Sequence, residues 1–195
     1  MFNNEDISLL LKALYFAAEK HRHQRRKDHE SSPYINHPIQ VAQTLWQVGK
    51  VHDIVTIAGA LLHDTLEDTS ATPAEIYNLC GAEVLALVQE VTDDKSLPKS
   101  QRKRLQIEHA AHKSMRAKHL KLADKSCNVY DITHSPPKDW SLKRLQDYLD
   151  WSEQVVSGLR GANPALEAHY DAILAEARQV LAARSSSPRS QNEEL

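Results

Sequence analysis

Long apolar runs are missing from this chain. The longest, such as Ile57–Leu62, are far too short to span a bilayer. The start, Met1 to Asp6, is polar and acidic rather than a basic stretch leading into an apolar one, so no signal peptide is expected. Only two cysteines occur, Cys80 and Cys127, far apart and without metal-type spacing. A reduced, cytoplasmic setting is the simpler reading. Net charge is −2 with neutral histidines, and aromatics make up only 6%. The molecule as a whole therefore exerts no strong pull on polyanions, and no nucleic-acid partner is expected. No segment alternates with period two between turn signals, and no repeat recurs at fixed spacing. Glycine is scarce, at five residues, and the eight prolines sit mostly between periodic segments. That punctuation suits helices joined by short turns.

What is present is helical periodicity. A chain of 195 residues, 41% hydrophobic and 26% charged, favours one domain with a full core. Ile7, Leu10, Leu11, Leu14 and Ala18 follow helical spacing, and Val41, Leu45 and Val48 do so after Pro38. Pro38 suits a first turn, where its missing N–H has no partner to lose. Ile54 to Leu66 is apolar nearly all round and reads as a buried central helix. Thr72-Pro73-Ala74-Glu75 has the form of a cap, opening a short helix to about Leu79 that stops near Gly81. Helical patterns follow at Glu83–Val91, Ser100–His112, Ala117–Ile132, Leu142–Leu159 and Pro164–Ala183. The expected fold is all-α, one helical bundle over residues 1–184, with a polar, Ser-rich tail at 185–195 expected to be disordered.

Chemistry concentrates in His63-Asp64-Thr65-Leu66-Glu67-Asp68, at the end of the most apolar helix. Adjacent His and Asp point about 100° apart on a helix, so both can reach an ion lying over the edge between them. Glu67 and Asp68 lie one turn beyond, on the same two stripes. Buried ionised groups are costly unless paired or bound to metal, although a solvated last turn would also accommodate them. His37 stands where a loop enters a helix, which serves a site or a plain surface equally. Lys121, Asp124 and Asn128 share one helical face, where Asp124 is either a ligand or an exposed acid between lysines. Two histidines and two carboxylates form a mixed nitrogen and oxygen set that suits Mn²⁺, Fe²⁺ or Zn²⁺ without choosing among them. Such an ion activates water and neutralises phosphate oxygens. The basic run His21-Arg22-His23-Gln24-Arg25-Arg26-Lys27 is either a solvated helix end or a clamp for phosphates and a base. Lys99, Arg102, Lys103 and Arg104, with Lys118, Lys121 and Lys125, add further local positive charge.

Ordered blocks then match a known family. They are Phe16-Ala17-Ala18-Glu19-Lys20-His21-Arg22, Gln24-Arg25-Arg26-Lys27-Asp28, Pro33-Tyr34-Ile35-Asn36-His37-Pro38-Ile39, Ala60-Leu61-Leu62-His63-Asp64-Thr65-Leu66-Glu67-Asp68-Thr69, Glu90-Val91-Thr92-Asp93-Asp94-Lys95-Ser96-Leu97-Pro98-Lys99 and Lys121-Leu122-Ala123-Asp124-Lys125. The chain resembles the HD-type hydrolase domain of the Rel/SpoT proteins, most closely the stand-alone small alarmone hydrolases of the metazoan SpoT-homologue type. The resemblance implies an all-helical HD domain that binds Mn²⁺, with Zn²⁺ or Fe²⁺ as alternatives, and removes the 3′-pyrophosphate of guanosine tetra- or pentaphosphate. It implies His37, His63, Asp64 and Asp124 as metal ligands, and Glu67 and Asp68 as the groups handling water and proton. It places Arg25, Arg26 and Lys27 against the nucleotide, Asn128 in the ribose or base pocket, and Lys99, Arg144 and Tyr148 near phosphates. With no room for a synthetase domain, the chain is expected to degrade alarmone and not to make it.

One departure stands out. After Asn128 the family usually places an arginine where this chain has Tyr130, which bears on base or phosphate contacts on that side. Two other readings are open: hydrolysis of another nucleotide, such as the 2′-phosphate of NADPH, and a non-catalytic nucleotide sensor. Oligomeric state is not encoded in any pattern read here.

Overall fold

The first helix of the computed structural model, which describes residues 3–185 of the chain, starts at a reciprocal cap. The Asn3 side chain accepts the Asp6 amide at 2.8 Å, and the Asp6 carboxylate accepts the Asn3 amide at 3.0 Å. Both orphan donors are thereby satisfied, and α1 (Asn4–Lys20) follows. Pro38 lies in the first turn of α2 (Asn36–Gln47). Asp53 caps α3 (Ile54–Leu62) by accepting the Thr56 amide at 3.0 Å. A single turn, α4 (Thr65–Asp68), comes next. The Thr72–Glu75 capping box opens α5 (Pro73–Val91), which breaks at Gly81. There φ is 84° and ψ 179°, a backbone that L side chains rarely adopt. Then come α6 (Lys99–Ala110), α7 (Met115–His134), α8 (Leu142–Ser157) and α9 (Pro164–Ser185). Among the described residues there is no strand, only an isolated antiparallel bridge between Arg25 and Pro33.

Two helices form the centre. α3 buries every residue from Thr56 to Leu62 and packs on α1, α2, α5 and α7. Gly59 allows the approach to α5, because a Cβ there would come within 2.6 Å of Leu87 Cδ2. α7 is touched by α2, α3, α5, α8 and α9. Besides Leu120, Leu122, Ala123 and Val129, it buries Lys121, Asp124, Lys125 and Ser126. Burial of such groups is tolerated only where partners exist.

The structure differs from the sequence expectation at three places. The helix read as Ile54–Leu66 ends at Leu62, and Asp64 stands between α3 and α4 at φ −96°, ψ −4°. The cause is local. Thr65 Oγ1 donates to the Leu62 carbonyl at 2.6 Å and the His63 ring meets the Ala60 carbonyl at 2.8 Å, so side chains serve acceptors at the end of α3. The basic run is not a helix end. α1 stops at Lys20, and the following loop doubles back on itself. Arg26 N–H donates to the Ser32 carbonyl at 2.8 Å and Tyr34 N–H to the Gln24 carbonyl at 3.2 Å. Asp28 closes the tip by accepting the Ser32 amide at 3.0 Å. Finally, α9 reaches Ser185, one residue past the expected domain end at 184, and the remainder of the expected tail lies outside the described residues.

Candidate active site

Three elements bring the histidines and acids together. The Tyr34 carbonyl accepts the His37 amide at 3.0 Å, fixing the turn that delivers His37 into α2. His63 and Asp64 come from the break between α3 and α4, and Asp124 from the middle of α7. His37 Nε2 lies 3.2 Å from Asp124 Oδ1 and 3.9 Å from Asp64 Oδ2. His63 Nε2 lies 3.1 Å from Asp64 Oδ2 and 3.8 Å from Asp124 Oδ1. Donor atoms of His37, His63 and Asp124 all fall within 4.8 Å of one another, and all three residues are buried. Asp64 stands at the edge of this group and is the most open of the four, at 19% side-chain exposure.

The imidazoles show that the group fits a cation. A carbonyl can only accept, so the 2.8 Å contact to Ala60 makes His63 Nδ1 the donor. In the neutral ring the Nε2 lone pair then faces two carboxylates. That atom is buried without a hydrogen-bond partner. A positive charge between the groups resolves the conflict, and a backbone-anchored imidazole is a common support for a metal ligand. Burial alone would depress the His63 pKa, yet Asp64 and Asp124 lift it to about 9. The same field that draws a proton to this point draws a divalent ion. Burial likewise opposes ionisation of Asp124, but Lys125, His37 and Lys121 hold its carboxyl well below the usual range. Asn128 Nδ2 donates to Asp124 Oδ1 at 2.5 Å, and Lys125 Nζ to Oδ2 at 3.0 Å.

The group opens on a cavity of about 510 Å³ whose walls include His37, Asp68, Asn128 and Tyr148. Arg25, Arg26 and Lys27 line it from the doubled-back loop. Arg26 pairs with Asp131 and lies over the Tyr34 ring, 5.8 Å from its centroid. A second cavity of about 390 Å³ shares Trp140 and Tyr148 with the first and is lined by Lys99, Arg102, Lys103 and Arg144. Burial and the charges of Arg144, Lys27 and Arg102 lower the Lys99 pKa, as expected where cations crowd without enough anions.

Asp68 lies one helical turn beyond Asp64, its amide donating to the Asp64 carbonyl at 2.9 Å. Asp68 faces the first cavity and ion-pairs with Lys95. Glu67 accepts the Asp93 amide at 3.1 Å, with Arg102 at 3.4 Å. Burial raises its pKa, and the charges of Asp93, Asp64 and Asp68 add to the effect. His21, part of the basic run, is buried under Tyr34 with ring centroids 4.8 Å apart, so it is no phosphate clamp. Lys121 shares a helix with Asp124 and lowers its pKa, but lines a separate cavity with Glu90, Asp93 and His109. Tyr130 is exposed, stacks on His134 at 4.2 Å and lines neither of the two cavities near Asp124. Its replacement of an arginine therefore leaves the pocket walls untouched. Sequence reasoning missed Tyr34, Lys95, Lys125, Asp131 and Trp140 as neighbours of the site. Three of them carried a signal: Tyr34 lies in the same short block as His37, Lys125 in that of Asp124, and Lys95 in the block from Glu90 to Lys99.

Comparison with known proteins identifies the family. A family model of the HD domain matches residues 13–147. The guanosine-3′,5′-bis(diphosphate) 3′-pyrophosphohydrolase MESH1 of Danio rerio is 51% identical over 174 residues, covering 89% of this chain and 97% of its own length. The Homo sapiens protein of the same name is 55% identical over 158 residues, covering 81% and 88%. A solved structure of a metazoan orthologue of SpoT, which hydrolyses ppGpp and plays a role in starvation responses, superposes with a TM-score of 0.86. It shares 44% identity and covers 90% of this chain and 97% of its own.

Proposed function

The chain belongs to the HD domain family, and from that premise we propose that it is a metal-dependent guanosine-3′,5′-bis(diphosphate) 3′-pyrophosphohydrolase. It releases pyrophosphate from (p)ppGpp and leaves GDP or GTP. The observation that carries this reading is the convergence of His37, His63 and Asp124 beside a cavity walled by Arg25, Arg26 and Lys27. The relatives named above carry the same activity in their names.

His37, His63, Asp64 and Asp124 would hold the ion; the mixed imidazole and carboxylate donors suit Mn²⁺, Fe²⁺ or Zn²⁺ alike, and we propose Mn²⁺ from the resemblance to the Rel/SpoT hydrolases. A divalent ion there supplies Lewis acidity toward water and phosphoryl oxygens. The remaining work belongs to side chains. Glu67, its pKa raised by burial, takes a proton from the attacking water or returns one to the leaving oxygen. Asp68 faces the cavity and orients that water. Arg25, Arg26 and Lys27 bind the nucleotide by charge and stacking, since a guanidinium does both. Asn128, bonded to Asp124, lines the ribose side. Tyr148 joins the two cavities, and Lys99 and Arg144 meet phosphates in the second. A volume of about 510 Å³ suits a small nucleotide, within the range of about 300 to 1,000 Å³ typical of ligand sites. No helix among the described residues is long and apolar enough to cross a membrane. We place the enzyme in the cytoplasm on its cysteines, Cys80 and Cys127, which are both free.

The test is product analysis with guanosine tetraphosphate and NADPH side by side, across Mn²⁺, Zn²⁺ and Mg²⁺. Mn²⁺-dependent release of pyrophosphate and GDP is expected. Release of inorganic phosphate from NADPH alone would move the assignment to a 2′-phosphatase. Nucleotide binding without turnover, metal present, would make the protein a sensor.

A further inference from the structure

Tyr34 belongs to the metal centre, although it is not a ligand. Its phenol donates to Asp64 Oδ2 at 2.6 Å. That oxygen is the one lying 3.1 Å from His63 Nε2 and 3.9 Å from His37 Nε2. Of the four ligating residues, Asp64 is the least enclosed, at 19% side-chain exposure against 7% or less for the other three. Asp124 is restrained by Lys125 and Asn128, and His63 by Ala60. Beside the two imidazoles, Tyr34 is the side chain that holds the Asp64 carboxylate among the described residues. Without it only the imidazoles face that oxygen.

The rest of Tyr34 is fixed by four contacts. Its amide donates to the Gln24 carbonyl at 3.2 Å, and its carbonyl accepts the His37 amide at 3.0 Å. Its ring lies between the buried His21, 4.8 Å away, and the Arg26 guanidinium, 5.8 Å away. One residue thus touches two proposed ligands, His37 through backbone and Asp64 through its hydroxyl. A neutral donor on a ligating carboxylate orients it without adding the positive charge that would compete with a cation.

We propose that Tyr34 is a positioning residue of the metal centre, its phenol holding Asp64 in the orientation that receives a divalent ion. The inference rests on the ligand set assigned under Proposed function, and not on the choice of nucleotide. Its test is Tyr34→Phe, which keeps the ring contacts and removes only the hydroxyl. Mn²⁺ is titrated into chelator-stripped protein without nucleotide, free Mn²⁺ being read by its electron paramagnetic resonance signal. Melting in chelator is measured in parallel. A loss of affinity of roughly tenfold or more is expected, the usual effect of removing an outer hydrogen bond to a ligand. Melting in chelator should match wild type. Unchanged Mn²⁺ affinity in Tyr34→Phe, with wild type binding one ion, overturns the role of Tyr34 and leaves the ligand set standing. A wild type that binds no Mn²⁺ overturns the ligand set, and this inference with it. The Co²⁺ forms give a second readout. Their visible spectra should differ between wild type and Tyr34→Phe as Asp64 turns, and identical spectra with equal affinity count against the proposal.

Discussion

Lys125 folds back along α7 so that its ammonium lies 3.0 Å from Oδ2 of the preceding residue, Asp124. Both side chains are almost fully buried, at 5% and 7% exposure. Burial disfavours the Lys125 charge, but Asp124 more than reverses this and raises its pKa. The pair divides the carboxylate, one oxygen for the lysine and the other for Asn128 and the two imidazoles. Lys125→Met is therefore expected to cost about 3 kcal/mol in the metal-free protein, because it leaves a buried charge with less compensation. Urea unfolding in chelator measures this. Mn²⁺ should recover more stability in the variant than in wild type.

Asp64→Ala and Glu67→Ala should separate the two kinds of acid. The first removes a ligand and is expected to lose metal and activity together. The second should retain Mn²⁺ but lose turnover by roughly 10²-fold or more, the scale of a proton-handling group. Metal content by elemental analysis beside kcat decides it, and metal loss in both would mean that the ligand assignment is wrong.

Tyr130→Arg restores the residue usual in the family, at an exposed position stacked on His134. It should leave kcat/KM within about twofold of wild type, as surface changes away from a site do. A large gain in affinity for guanosine tetraphosphate would show that an arginine there reaches the substrate.

Asp53 offers a pH signature away from the metal. Burial would raise its pKa, but hydrogen bonds from Thr56 and Arg116 hold it below its ordinary 3.8. A depressed acid stabilises the fold above its unfolded pKa, and that contribution fades as pH falls through the folded value. Asp53→Ala should therefore cost about 1 kcal/mol near neutrality, the usual value of a lost cap. The difference from wild type should shrink below about pH 4, the range in which an unfolded aspartate takes up its proton. Thermal melts across that range measure it.

Helix positions were legible because packing repeats with the helical period. Leu142–Leu159 became α8 at Leu142–Ser157, and the Thr72 cap and the stop near Gly81 stand where the residue types put them. The ligand residues were legible because they sit in short blocks around His37, His63 and Asp124. The break after Leu62 was hidden, since it depends on Thr65 and His63 side chains taking backbone carbonyls, and periodicity carries no record of that. Partners distant in sequence were hidden for the same reason. Lys95 meets Asp68 and Asp131 meets Arg26 only once the bundle has closed.

The loop bridged at Arg25 and Pro33 has an unequal tolerance for change in length. Surface loops usually accept insertions, and the exposed residues His29 to Ser31 are the place for one. Between Ser32 and His37 an added residue would turn the start of α2 by about 100°. Arg26 on one limb and His37 on the other are held in register by the Arg26–Ser32 and Tyr34–Gln24 hydrogen bonds. Among relatives this second limb should keep a fixed residue count, since one deletion there would misplace nucleotide wall and metal ligand in a single event.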